Sequence, residues 1–185
     1  MSALHHAALI LLCWYWMMAL HEVGHVAATL LLGGQVERVV WHPLEVSATF
    51  RRGSASPVLD TWAGPLAGVV LPFAVWGLGE RFWRPAAAYL RFFAGFCLIA
   101  NGVYMAAGAA TGVGDGGDLL RLGAAAWPIY LFGLAATAGG LALWHGQGRH
   151  FGLDPDGPPI TARRTAVVVT LCLATVALGF VLDLR

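Results

Sequence analysis

Lysine is missing from this 185-residue chain, and charged residues of every kind make up only 11% of it, less than half the roughly 25% of an ordinary soluble domain. Apolar residues supply 58% and mean hydropathy is +0.70, which excludes a water-soluble globule. Eleven arginines against ten acidic residues leave a net charge of +1. No overall basic field exists to attract nucleic acid or an anionic membrane surface, and no nucleic-acid partner is expected. Cysteine is scarce as well. Cys13, Cys97 and Cys172 stand far apart in apolar stretches, an odd number at spacings that fit neither a disulfide framework nor a thiolate metal site. They read as small apolar side chains.

What the chain has in quantity is long hydrophobic runs. A helix needs roughly 20 mostly apolar residues to cross the hydrocarbon core, and five stretches meet or approach this, at about 7–34, 62–79, 92–110, 124–144 and 165–182. The expected fold is an all-α polytopic membrane protein, a single bilayer-embedded domain over 1–185. The first run lacks the basic N-terminal flank of a signal peptide and is interrupted by His21, Glu22 and His25, so it reads as mature structure. Trp14, Trp16, Trp62, Trp83, Trp127 and Trp144 sit toward the predicted span ends, as interfacial aromatics do. The arginines divide six to five between the two sides, with Arg185 among the five, which sets no orientation. Between the first two runs, Glu45 to Arg51 alternates polar and apolar and Val36 to Trp41 is rich in β-branched residues. That pattern predicts a membrane-surface β-hairpin over about 35–52 with His42-Pro43 as its turn. Residues 146–161, with Gly, Asp and Pro but no periodicity, read as a loop.

The chemistry lies in the first run, as His21-Glu22-Val23-Gly24-His25. Histidines four apart share a helix face and can reach one metal ion, while the intervening glutamate can reach a water bound to it. A carboxylate inside a spanning helix costs several kcal/mol unless paired, hydrated or metal-bound, which makes Glu22 a functional residue by default. The competing reading is a hydrogen-bonded polar cluster that holds helices together. A haem site fits less well, because two His on one helical turn cannot approach an iron from opposite faces. A hydrolytic zinc site needs a third protein ligand. The segment Gly112-Val113-Gly114-Asp115-Gly116-Gly117-Asp118 offers Asp115 or Asp118, on backbone flexible enough to bend into a protein-lined cavity. Asp60 opens the second run and reads as a helix cap. Asn101 is a buried amide that could face substrate or a developing oxyanion, or pack between helices.

In order along the chain, His21-Glu22-Val23-Gly24-His25, the hairpin, the small-residue helix Ala63-Gly64-Pro65-Leu66-Ala67-Gly68, Asn101 and Asp115-Gly116-Gly117 resemble the site-2 protease family of intramembrane zinc metalloproteases. The resemblance covers about residues 10–125. It implies Zn2+ bound by His21, His25 and Asp115, Glu22 as general base, and a transmembrane protein as substrate within the lipid bilayer. Two other readings stand beside it: a non-catalytic membrane protein with a structural or regulatory zinc site, and a metal transporter, since intramembrane His and carboxylates also line ion paths. The sequence carries no signal for an oligomeric state.

Two structural expectations follow. The first, third and fourth runs should meet at the metal, with the aspartate arriving from the Gly34 end of the first. Gly114, Gly116 and Gly117 disfavour helix at Asp115, whereas Asp118 suits a helix cap, which leaves Asp115 the freer of the two to bind metal.

Overall fold

The computed structural model describes residues 2–183; Arg185, counted above, lies outside them. Five helices are long and apolar enough to cross a membrane, and the protein is an integral, multi-pass membrane protein. In chain order the elements are α1 (Ser2–Leu31), β1 (Gln35–Val40), β2 (Ala48–Arg52), α2 (Pro57–Phe82), α3 (Ala87–Thr111, entered through a 3-10 turn at Arg84–Ala86), α4 (Gly114–Arg121), α5 (Ala126–Trp144) and α6 (Ala162–Asp183). The segment expected as a loop before α6 contains a second 3-10 turn, Gly148–Phe151. All five spanning helices begin or end a few residues from the expected limits. Helix α1, with 30 residues, is about 45 Å long at 1.5 Å per residue, more than the roughly 30 Å of hydrocarbon it crosses. Because α1 already starts at Ser2, Trp14 and Trp16 lie toward its middle, exposed, rather than at its end.

Helices α1, α2 and α3 form the centre, with α5 packed on α3 and α6 on α1. Small residues set these approaches. A Cβ on Gly102 would lie 2.8 Å from the Gly133 carbonyl, and one on Gly140 would lie 2.6 Å from the Gly95 carbonyl, so α3 and α5 touch backbone to backbone as small-residue membrane helices do. Beside them Met105, Ala109, Leu119 and Ile129 form a buried cluster flanked by Trp62 and Phe132. Cys13, Cys97 and Cys172 are buried free thiols.

The hairpin is antiparallel, pairing Gln35 with Arg52 and Val40 with Ala48, with an irregularity between Val36 and Arg38. Its second strand starts at Ala48 rather than Glu45. The connection is therefore longer than a His42-Pro43 turn, and Ser47 leaves the ladder to bond α1.

Helix α4 departs most from expectation. Residues 114–121 are helical through Asp115, and Asp118 sits within the helix rather than at its cap; the N-cap is Val113. Glycine costs about 1 kcal/mol per residue in a helix, and here it makes close packing possible. The α3 helix ends at Gly112 (φ 74°), and the chain turns straight back. A Cβ on Gly116 would lie 2.6 Å from Ala109 N, and one on Gly117 would lie 2.6 Å from the Gly112 carbonyl oxygen. With no side chains in the way, α4 lies directly on the last turns of α3 and carries Asp115 inward.

Candidate metal centre

Three side chains from α1 and α4 converge. The His21 Nε2 to Asp115 Oδ2 distance is 2.8 Å, His25 Nε2 to Asp115 Oδ2 is 3.2 Å, and the two Nε2 atoms are 3.1 Å apart. All three residues are buried. Tetrahedral bonds of 2.0–2.1 Å separate neighbouring ligand atoms by about 3.3 Å, close to these spacings. Asp118 stays outside; it is half-buried and pairs with Arg121.

The far side of each imidazole shows what the near side can do. His21 Nδ1–H donates to Asn101 Oδ1 at 2.8 Å, and His25 Nδ1–H donates to the Asp60 carbonyl at 2.9 Å. Asn101 is oriented in turn, since its Nδ2 donates to the Cys97 carbonyl at 2.9 Å. Each neutral imidazole has one N–H, already used outward, so each Nε2 presents a lone pair to the other and to the carboxylate. With both imidazoles neutral, three acceptors thus face one another. A cation satisfies that arrangement, and outward hydrogen bonds from the distal nitrogen are the usual support of metal-bound histidine. The donor set, two imidazoles and a carboxylate, fits zinc.

Helix α2, rather than the fourth run, completes the centre with α1, α3 and α4. Gly64 and Gly68 lie on the α2 face where a Cβ would overlap the His25 ring and come within 2.7 Å of Asn101 Nδ2. The Gly-x-x-x-Gly pair therefore makes room for two side chains of the centre as well as for a neighbouring helix. Asp60, expected as a cap, is 1% exposed and lies in the first turn of α2. Its carboxylate accepts from Thr29 Oγ1 at 2.9 and 3.0 Å and meets Arg51 Nε at 3.4 Å, while its carbonyl holds His25. One residue thus ties α2, α1 and β2 to a histidine of the centre.

Glu22, 3% exposed, accepts from Ser47 Oγ at 2.8 Å on Oε1 and from Thr49 Oγ1 at 2.5 Å on Oε2. These two partners stand in no local relation to Glu22 and were not expected, although the two-residue alternation of the hairpin does put them on one face. Tyr104 was also missed. Its hydroxyl accepts from the Asp115 backbone N–H at 3.1 Å, and its ring stands edge-on to His21 at 5.6 Å. The signal was present, because Tyr104 follows Asn101 by three and shares its helix face.

A model of the Peptidase M50B-like family matches residues 2–112, which is more than half of the chain. The protein belongs to this family, that of the site-2 proteases. Membership makes it a protein of a membrane protease family, and its structure adds a buried His-His-Asp group that could hold a metal. The matched residues include His21, Glu22, His25 and Asn101 but stop short of Asp115, whose place in the cluster rests on geometry alone. Neither a curated protein nor a solved structure matches the chain.

Proposed function

We propose that the protein is a zinc-dependent endopeptidase that hydrolyses a peptide bond within a membrane-spanning substrate. The observation that carries this reading is the convergence of His21 Nε2, His25 Nε2 and Asp115 Oδ2 on one point, with the outward Nδ1 contacts of both imidazoles leaving the Nε2 lone pairs of the neutral rings free to bind an ion. These residues hold the metal, and the chemistry zinc supplies in such a site is Lewis acidity toward water and a scissile carbonyl.

Glu22 takes a proton from the attacking water and passes it to the leaving amine as the peptide bond breaks. Ser47 and Thr49 each occupy one acceptor site on a different carboxylate oxygen. A carboxylate oxygen accepts twice, so capacity for the water proton remains while the group is held in one orientation. Asn101 positions His21, and both of its polar ends are used within the protein. A helical substrate hides its carbonyls and has to unwind locally first. The two-stranded sheet leaves its outer edges unpaired, and an extended peptide can add to such an edge close to the carboxylate that Ser47 and Thr49 hold.

The test is cleavage of a membrane-helix substrate by purified protein in detergent, with zinc measured in the same samples. Wild type is expected to carry one zinc and cleave; Glu22→Gln is expected to keep the zinc and lose cleavage. Equal cleavage by both would remove Glu22 from the reaction. Zinc flux in proteoliposomes without proteolysis would replace the reading with transport.

A further inference from the structure

At the end of the bundle opposite the hairpin lie the start of α1, the end of α2, the starts of α3 and α6 and the end of α5. An apolar cavity of about 830 Å3 opens there, walled by Leu9, Cys13, Trp16, Phe93, Val168 and Leu171 among others. It shares Pro85, Tyr89 and Arg164 with a smaller polar pocket of about 290 Å3, to which Arg84, Arg91, Gln147 and His150 also contribute.

The polar pocket is built but unsatisfied. Gln147 is 3% exposed, and its Oε1 is a buried acceptor with no hydrogen-bond partner; Arg91 Nε is a buried donor with none. Among the described residues, Arg84, Arg91, Arg163 and Arg164 form no ion pair, whereas Arg51, Arg52 and Arg121 at the hairpin end each meet a carboxylate. The one acid lining the polar pocket, Glu80, is engaged by Trp76 Nε1 at 2.9 Å. A net charge of +1 conceals this cluster, because its arginines come from separate stretches of sequence.

We propose that the joined pockets bind one anionic phospholipid, with acyl chain in the apolar cavity and phosphate against Arg84, Arg91 and Arg164. Both halves of the site match an amphiphile, and all its basic residues flank spanning helices at one side of the bilayer, at headgroup level. The free Gln147 Oε1 calls for a hydroxyl donor in the headgroup, which the glycerol of phosphatidylglycerol supplies and choline lacks. The headgroup end of the site lies away from the metal centre, although the apolar cavity extends to Leu20 beside His21, and the site does not depend on the chemistry of that centre.

Delipidated full-length protein in detergent, titrated with phosphatidylglycerol or phosphatidylcholine of identical acyl chains and read by native mass spectrometry, tests this. Wild type is expected to retain one phosphatidylglycerol in clear preference. A basic residue near the membrane surface is worth about fivefold in affinity for anionic lipid, so Arg84→Gln with Arg164→Gln should weaken phosphatidylglycerol about 25-fold and phosphatidylcholine, whose quaternary ammonium offsets its phosphate, by much less, which removes the preference. Both arginines are exposed, so their loss spares the fold. Val167→Trp, at an exposed residue lining the large cavity, should reduce binding of both lipids. Equal binding of the two lipids by wild type, or an unchanged preference in the arginine variant, would overturn the proposal. So would undiminished binding by Val167→Trp, or displacement of the lipid by equimolar glycerol 3-phosphate, since either would leave the apolar cavity without a role.

Discussion

The two ends of the helix bundle use polar residues in opposite ways. At the hairpin end, three of the four described arginines meet carboxylates, Thr29 and Thr49 spend their hydroxyls on Asp60 and Glu22, and each histidine of the centre donates to a named acceptor. At the other end, His5 Nδ1, Arg91 Nε, Gln147 Oε1 and Thr165 Oγ1 are buried without partners, and among the described residues the arginines there form no ion pair, Arg91 Nη2 donating instead to the His145 carbonyl. Buried polar groups are expensive to leave unsatisfied; among the described residues the hairpin end leaves only His42 Nδ1 without a hydrogen-bond partner, beside a cluster suited to a cation, whereas the other end leaves four such atoms, of which those of Arg91 and Gln147 belong to residues lining the polar pocket.

That contrast can be broken at the metal. Asp115→Ala should abolish zinc retention, since two histidines alone leave the ion undercoordinated, whereas Asp118→Ala, which removes only an exposed ion pair, should change stability by less than about 1 kcal/mol and leave zinc in place. Zinc content of the two purified variants checks this, and the reverse pattern would transfer the ligand role to Asp118. The supporting shell gives the next effect. Asn101→Ala should weaken zinc by about 10–100-fold, the usual cost of removing a residue that orients a metal-bound histidine, measured by competition with a chelator. Packing around the centre is tested by Gly64→Ala, whose methyl would overlap the His25 ring; it should cost about 1–3 kcal/mol in stability. Gly77→Ala, on the same helix in open space, should cost nothing in the same thermal denaturation series. The hairpin is tested through the hydroxyl that holds Glu22. Ser47→Ala should lower kcat about tenfold or more, as loss of a hydrogen bond to a charged group does, without loss of zinc.

How much of this was legible in the chain depended on how local each contact is. His21, Glu22 and His25 stand out because helical spacing alone puts them together, and the long apolar runs announce the five spans. The helix at Asp115 was misread because glycine propensity was taken without its tertiary reason, the contact of Gly116 and Gly117 with the α3 backbone. Asp60 reads as a cap at a helix start, yet its partners Thr29, Arg51 and His25 come from elements that only folding brings near. The lipid-side arginines cancel in a charge count, and their isolation becomes visible only when the acids at the other end are seen to be already paired.

Synthesis order gives the convergence of α1 and α4 a further consequence. Glu22 leaves the ribosome before either of its hydroxyl partners, 25 and 27 residues ahead of them, and His21 leaves 94 residues before Asp115. At about 5–20 residues per second, that last interval lasts roughly 5–20 s. For the first 80 of those 94 residues α1 carries an ionisable triplet with neither Asp115 nor Asn101 made. The nascent helix has to enter the bilayer on the strength of the apolar residues that precede the triplet, from Ala7 to Leu20. Metal capture therefore belongs to the end of assembly, after α4 has folded back on α3. A chain truncated before residue 115 should insert and still hold no zinc.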